Sequence, residues 1–271
     1  MMDAIDDLTF VNASGAKDLH QIARELTVGR VVLFAGAGLS FNAPRRDEGK
    51  NSMPGWRDLA HELLKKMEGS IRDSQDPLKV ADYFETKYGR PALIDALVNT
   101  IRDSEHAPGR VHQCLTGLNF DEIITTNYDT LIERAFEKQF IEPQVIVESR
   151  DLVRKRKPPR VIKMNGCFKI NPSGVVITGS DFLSYAERHP LIEILVTECF
   201  VESTVLFIGF GLDDPAFRAI NERVLRTLGR GECRLAYSLQ FGASETESAY
   251  WKSRQVQIID LSSGATEMDE G

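Results

Sequence analysis

Two stretches of this 271-residue chain carry an apolar run straight into a glycine turn: "RVVLFAGAGLS" (30–40) and "STVLFIGFGLDDPAFRAINERVL" (203–225). The first predicts a buried strand from Val31 to Ala35. The second predicts a buried strand, a turn and a helix, with Pro215 suited to the first helical turn. The rest of the chain alternates in the same way. "DEIITTNYD" (121–129) reads as a strand followed by the helical "TLIERAFEKQF". "PQVIVES" (143–149), 161–164, "GVVIT" (174–178), "CRLAYSL" (233–239) and "QVQIIDL" (255–261) read as further strands. Helical spacing occupies 17–28, 56–68, 78–88, 91–102, roughly 110–118, 180–202 and a stretch near 244–252. Apolar strands alternating with helices predict an α/β fold with a doubly wound, mainly parallel, Rossmann-like sheet.

The length suits one domain over 1–271, with a core at 30–43 and 119–260 and an inserted helical subdomain at 44–118, where no strand is expected. A formal net charge of −7 argues against coating nucleic acid as the main task. The basic "RKRKPPR" (154–160) reads first as a solvated loop, so direct nucleic-acid binding is not expected. Cys114, Cys167, Cys199 and Cys233 form no C-x-x-C pair, which removes the usual frame of a structural zinc site. With no secretory signal in the acidic "MMDAIDDLTF", reduced thiols in a cytoplasm are the simple reading. No apolar run approaches the ~18 residues of a membrane span. The final "SSGATEMDEG" reads as a polar tail or the cut edge of a longer chain.

Ligands of doubly wound sheets sit beyond the carboxyl ends of the strands. Four polar or glycine-rich sequences fall there. Gly36-Ala37-Gly38-Leu39-Ser40 offers close backbone approach to a phosphate, although Phe41 stands where the third glycine of G-x-G-x-x-G would be. Thr125-Thr126-Asn127-Tyr128-Asp129 offers an amide for ribose hydroxyls or a water, against the plainer roles of turn and helix cap. Asn165-Gly166 is either a turn or part of a site. Gly209-Phe210-Gly211-Leu212-Asp213-Asp214-Pro215 opens a helix, and Asp213 or Asp214 is a natural N-cap.

The order G-A-G-x-S, T-x-N-x-D, K-x-x-G and G-x-x-L-x-D-P over roughly 30–260 resembles the Sir2-like, or sirtuin-related, family. More narrowly it looks like the bacterial branch that degrades NAD in antiphage defence. The resemblance implies NAD as substrate. Ala35, Gly36, Ala37 and Ser40 would then line its phosphate and ribose, with Asn127 beside the nicotinamide ribose and Asp129 as the motif aspartate. Gly209, Gly211 and Leu212 would lie near the adenosine half. It also implies a defence partner such as a short Argonaute or a HerA-type ATPase, while an apolar face left on helices 56–68 and 78–102 suggests a homo-oligomer. The paired cysteines of the sirtuin zinc module are missing, so no zinc is expected.

Where the family usually has a histidine before glycine, this chain has Asn165. Sirtuin deacylation needs a base for a ribose hydroxyl, and an amide does not titrate in the working range. Hydrolysis of the nicotinamide–ribose bond asks less: a neutral leaving group, a stabilised oxocarbenium-like state and a water. Asn127 and Asn165, with Asp129 or Asp213, are the expected catalytic set. Of the histidines, His20, His61, His106 and His189 fall away from the strand ends. His112 is nearer, with a core or surface role the simpler reading. The expected activity is NAD hydrolysis by a defence effector. The alternatives are a catalytically silent NAD or ADP-ribose sensor and, ranked last, a protein deacylase.

Overall fold

Strand Val31–Ala35 (β1) occupies the middle of the fold because all five of its side chains bury. In the computed structural model, which describes residues 10–41, 43–46, 53–67 and 76–262, it is the fourth strand of a seven-stranded sheet. The acidic start (1–9) and nearly all of the polar tail lie outside the described residues. The other strands are Glu122–Thr125 (β2), Gln144–Ile146 (β3), Arg160–Lys163 (β4), Thr204–Ile208 (β5), Ala236–Gln240 (β6) and Val256–Asp260 (β7). Their order is β3-β4-β2-β1-β5-β6-β7, and every pairing is parallel. The expected mainly parallel α/β sheet is therefore wholly parallel. From β1 the chain builds first towards β3 and later, from β5, in the opposite direction, so the switch point lies between β1 and β5.

Twelve α-helices accompany the sheet among the described residues. They are Ala13–Thr27 (α1), Ala37–Ser40 (α2), Trp56–Lys66 (α3), Pro77–Tyr88 (α4), Arg90–Ile101 (α5), Arg110–Thr116 (α6), Leu131–Glu137 (α7), Gly179–Leu183 (α8), Tyr185–Arg188 (α9), Pro190–Glu202 (α10), Pro215–Leu228 (α11) and Glu245–Lys252 (α12). Successive strand residues face opposite sides, and the cores follow that period of two. Val32, Phe34, Val205 and Phe207 pack with α10, α11 and Trp251 of α12. Val31, Leu33, Ala35 and Leu206 pack with Ile22 of α1, Leu115 of α6 and Phe136 of α7. A third core joins α3, α4 and α5 to Tyr128, Leu131, Val175 and Ile177 at the edge of the sheet. Among the described residues no helix is long and apolar enough to cross a membrane.

Three local expectations are corrected or refined. Residues 175–177 are extended but belong to no strand; Val176 N donates to Asn165 O at 2.9 Å. The run reads as a strand because both its faces bury. What it meets is two cores, with Val176 in the sheet core and Val175 and Ile177 in the helical one. The helical stretch 180–202 is divided into three helices, broken at Ser184 and His189 ahead of Pro190. Finally, Gly36–Ser40 is not a bare turn: residues 37–40 make one helical turn.

Candidate active site

Register places four strand ends in one row. Ala35 pairs with Thr125 and with Ile208, and Thr125 pairs with Lys163. Whatever follows each of these residues emerges on the same edge. The segments 36–40, 126–129, 164–166 and 209–214 are thus neighbours, though up to about 180 positions apart in the chain.

The first and last meet through bare backbone. Gly36 N donates to Ile208 O at 3.1 Å and Gly38 N to Gly209 O at 2.8 Å. A Cβ on Gly36 would lie 2.5 Å from Gly209 O. One on Gly209, whose φ is +60°, would lie 2.3 Å from Leu39 N. These glycines are needed for the two loops to touch, whatever else they contact.

Asn127 locks onto this frame. Its Nδ2 donates to Gly36 O and to Ser40 Oγ, both at 3.0 Å, and its backbone N donates to Thr125 Oγ1 at 3.1 Å. Ser40 Oγ donates in turn to Asp129 Oδ2 at 2.8 Å, while Asp129 Oδ1 accepts from Leu131 N at 3.0 Å. Asp129 therefore steadies the start of α7 and also joins the side-chain chain Asn127–Ser40–Asp129. All three side chains are buried. With Ala37, Thr126 and Tyr128 they line one side of a cavity of roughly 50 Å³; Met53, Pro54, Trp56, Leu59 and Ile101 line the other.

Asn165 is 1% exposed; its amide lies within reach of the Tyr128 hydroxyl but makes no hydrogen bond of good geometry. Its backbone is held by Val176. Its neighbour Tyr128 donates its hydroxyl to Val176 O at 2.6 Å, and Tyr185 donates to Met164 O at 3.2 Å. A buried amide without a well-formed hydrogen bond is costly unless something polar engages it. Burial pushes the Tyr128 phenol well above its ordinary pKa, and the negative charges of Asp214 and Asp181 add to this.

The other expected residues separate. Ala35 is wholly buried as the last residue of β1. Leu212 points into the sheet core, and Gly211 faces open space. The Asp213 side chain is 91% exposed and reaches only towards Arg218 at 3.8 Å, so it does not join the cavity. Asp214 is the inward residue of the pair. Its Oδ1 caps α11 through Ala216 N (3.0 Å) and Phe217 N (3.1 Å), and its charge is felt by both Tyr128 and Tyr185. Burial raises the Asp214 pKa against the pull of those two amides.

Sequence reasoning missed Tyr128, Trp56 and, above all, Lys163. Lys163 is 1% exposed; its Nζ donates to Asp129 O and pairs with Glu133 Oε1 at 3.0 Å. Burial is the largest single influence and opposes its charge, but Glu133, Cys167 and Asp129 together outweigh it, so its pKa lies above the ordinary lysine value. A lysine in the otherwise apolar "VIKM" was the available signal. Among the described residues no cluster of histidine, cysteine or carboxylate side chains has the makings of a metal site.

Known proteins resemble this chain in sequence. The family profile described as "SIR2-like domain" matches residues 121–259, slightly more than half of the chain. NAD(+) hydrolase ThsA of Cytobacillus dafuensis is 27% identical over 214 residues, covering 78% of this chain and 41% of the relative. Defense-associated sirtuin 2 of Bacillus subtilis is 25% identical over 254 residues, covering 90% and 24% respectively. NAD(+) hydrolase ThsA of Acinetobacter baumannii (strain 532279) is 26% identical over 209 residues, covering 76% and 41%. The chain thus spans less than half the length of each of these relatives. A solved structure described as "Structural Basis for the Mechanism and Regulation of Sir2 Enzymes" aligns at 12% identity and a TM-score of 0.48, covering 94% of this chain and 96% of that one. With its β2-to-β7 half matched by the family profile, the chain belongs to the SIR2-like domain family.

Proposed function

We propose that this chain is an NAD⁺ hydrolase domain that releases nicotinamide and ADP-ribose and serves as an NAD-depleting effector in bacterial antiphage defence. The observation that carries the reading is the joining of Asn127, Ser40 and Asp129 at the sheet edge from which the segment bearing Asn165 also emerges. The names of the relatives agree with it. In the reaction the C–N bond between nicotinamide and ribose breaks, and its electron pair neutralises the pyridinium nitrogen. A water oxygen bonds to the ribose carbon and its proton passes to solvent. The developing positive charge on ribose favours a site of carbonyl and carboxylate oxygens. Asn127 and Asp129 supply these, and Asn165 orients the water. Ala35, Gly36, Ala37 and Ser40 take the phosphate and ribose side, and Gly209, Gly211 and Leu212 the adenosine side. Asp213 is dropped in favour of Asp214, because only Asp214 is turned inward.

Residues 44–118 act as a subdomain over this edge, within a single domain whose core is 30–43 and 119–260. A cytoplasmic setting, self-association and a defence partner belong to the same proposal. The second reading, a silent NAD or ADP-ribose sensor, is favoured by one observation: Asn127 Nδ2 is already engaged by Gly36 and Ser40. Incubating the protein with NAD⁺ and following free nicotinamide separates the two. Hydrolysis is expected, with Asn127→Ala lowering it at least ~10²-fold and Asn165→His raising it, since a general base contributes ~10²–10⁴-fold. Tight ADP-ribose binding without nicotinamide release from either the parent or Asn165→His would establish the sensor.

A further inference from the structure

One peptide group at this edge is gripped by charge from both sides. The carbonyl oxygen of Asp129 accepts from Lys163 Nζ. The N–H of the same peptide, that of Thr130, donates to Asp103 Oδ1 at 3.2 Å, and Thr130 Oγ1 donates to Asp103 Oδ2 at 2.7 Å. Lys163 comes from the end of β4, two residues before Asn165. Asp103 comes from the 3₁₀ turn Asp103–Glu105 that follows α5. Each charge is answered by one of two consecutive residues of α7: Lys163 by Glu133 at 3.0 Å, and Asp103 by Arg134 at 2.6 Å. Arg134 also donates to the carbonyl oxygens of Asp103 (2.9 Å) and His106 (2.6 Å).

Stability does not account for the inner half of this arrangement. Lys163 and Glu133 are 1% and 8% exposed at the side chain, and apart from the ion pair neither carboxylate oxygen of Glu133 has a hydrogen-bond partner. A buried pair satisfied this poorly is at best neutral against apolar residues of the same size. Its geometric effect is specific. With both ends of the 129–130 peptide held, the Asp129 carboxylate is left one orientation, shared between Ser40 Oγ and Leu131 N. Ser40 Oγ in turn accepts from Asn127.

We infer that Lys163, Glu133, Asp103 and Arg134 form a charged clamp on the Asp129–Thr130 peptide that positions Asp129 and, through Ser40, Asn127. The clamp rests on the hydrolase reading for its catalytic consequence but not for its existence. Lys163, Glu133, Asp103 and Arg134 are positioning residues; none of them lines the cavity.

The test replaces the inner pair together, Lys163→Met with Glu133→Leu, so that no buried charge is left alone. A second variant, Lys163→Arg with Glu133→Asp, keeps the charges. Hydrogen exchange of the Thr130 amide and steady-state nicotinamide release are both measured on the full chain. The apolar pair is expected to fold and to exchange the Thr130 amide at least ~10-fold faster, as loss of a local constraint lowers its opening cost. It is expected to lose ~10²-fold in kcat with KM changed less than ~3-fold, the signature of misplacement rather than lost binding. The charged pair is expected to recover most of both. Unchanged Thr130 exchange in the folded apolar pair overturns the clamp, whatever the activity. Faster exchange with kcat intact overturns its catalytic role. If the parent protein releases no nicotinamide, the hydrolase reading fails instead, and Thr130 exchange alone decides the clamp.

Discussion

His112 illustrates how one buried side chain carries a solution property. It is 1% exposed on α6, and both ring nitrogens lack a hydrogen-bond partner. Burial holds its pKa below the ordinary histidine value; the Asp129 carboxylate pulls the other way and Arg134 reinforces the depression. The unfolded chain takes up this proton near pH ~6.5, whereas the folded chain resists until lower pH. The contribution to stability is therefore complete above that pH and is lost as pH falls through the folded value. Thermal unfolding should shift downward between about pH 7.5 and about pH 5.5, by at most ~1.4 kcal/mol per pH unit for one group. His112→Leu should flatten that slope. An unchanged slope would locate the pH sensitivity elsewhere. That amides stand at two strand ends, Asn127 and Asn165, was legible in the sequence. The choice between Asp213 and Asp214 was not legible, because adjacent residues in a turn point to opposite sides and composition does not say which.

Among the elements, the extended segment 175–177 depends most on others. Asp181 of α8 accepts from Ile177 N (3.0 Å), Thr178 N (3.1 Å), Arg90 (2.8 Å) and Arg188 (2.6 Å). Arg90, the first residue of α5, also donates to Val175 O. Through Val176 this tie reaches Asn165 N–C=O on one side and the Tyr128 hydroxyl on the other. Burial works to raise the Asp181 pKa, but the Arg90 hydrogen bond and the two amides outweigh it, so the value is lowered. Its stabilisation is thus present at neutral pH and lost only on acidification through a value below the ordinary aspartate range. Arg90→Met is expected to cost roughly 2 kcal/mol in urea unfolding at neutral pH, since it strands a mostly buried carboxylate. A cost near zero would mean that Arg188 alone suffices. The run 174–178 was misread as a strand because apolar periodicity records burial on both faces. It does not record whether a backbone neighbour exists.

At the scale of the whole molecule, the cavity poses the question of access. Roughly 50 Å³ holds a water or two. Pockets for drug-sized ligands start near ~300 Å³, and a dinucleotide is no smaller. One wall is the sheet edge, fixed by seven strands; the other is Met53, Pro54, Trp56, Leu59 and Ile101 of the helical block. Binding NAD⁺ should therefore move the second wall, and Trp56 reports on it. The chain has two tryptophans, and the other, Trp251, is packed against Phe217 in the sheet core with ring centroids 5.9 Å apart. Titrating NAD⁺ should change tryptophan fluorescence, with the change lost in Trp56→Phe and kept in Trp251→Phe. The reverse pattern would reject movement of this wall.

The sequence by itself determined the kinds of element and the chemistry available at their ends. Runs such as Val31–Ala35 and Thr204–Ile208 suit a buried parallel strand, and glycine or an amide at such an end is visible without coordinates. Only the tertiary structure decided which ends meet. The row Lys163–Thr125–Ala35–Ile208 is set by register, and register follows from packing two faces at once rather than from any local signal. For the same reason Lys163 could not be read as a support for Asp129. The two are 34 positions apart, and nothing but the assembled sheet brings the ammonium beneath that carbonyl.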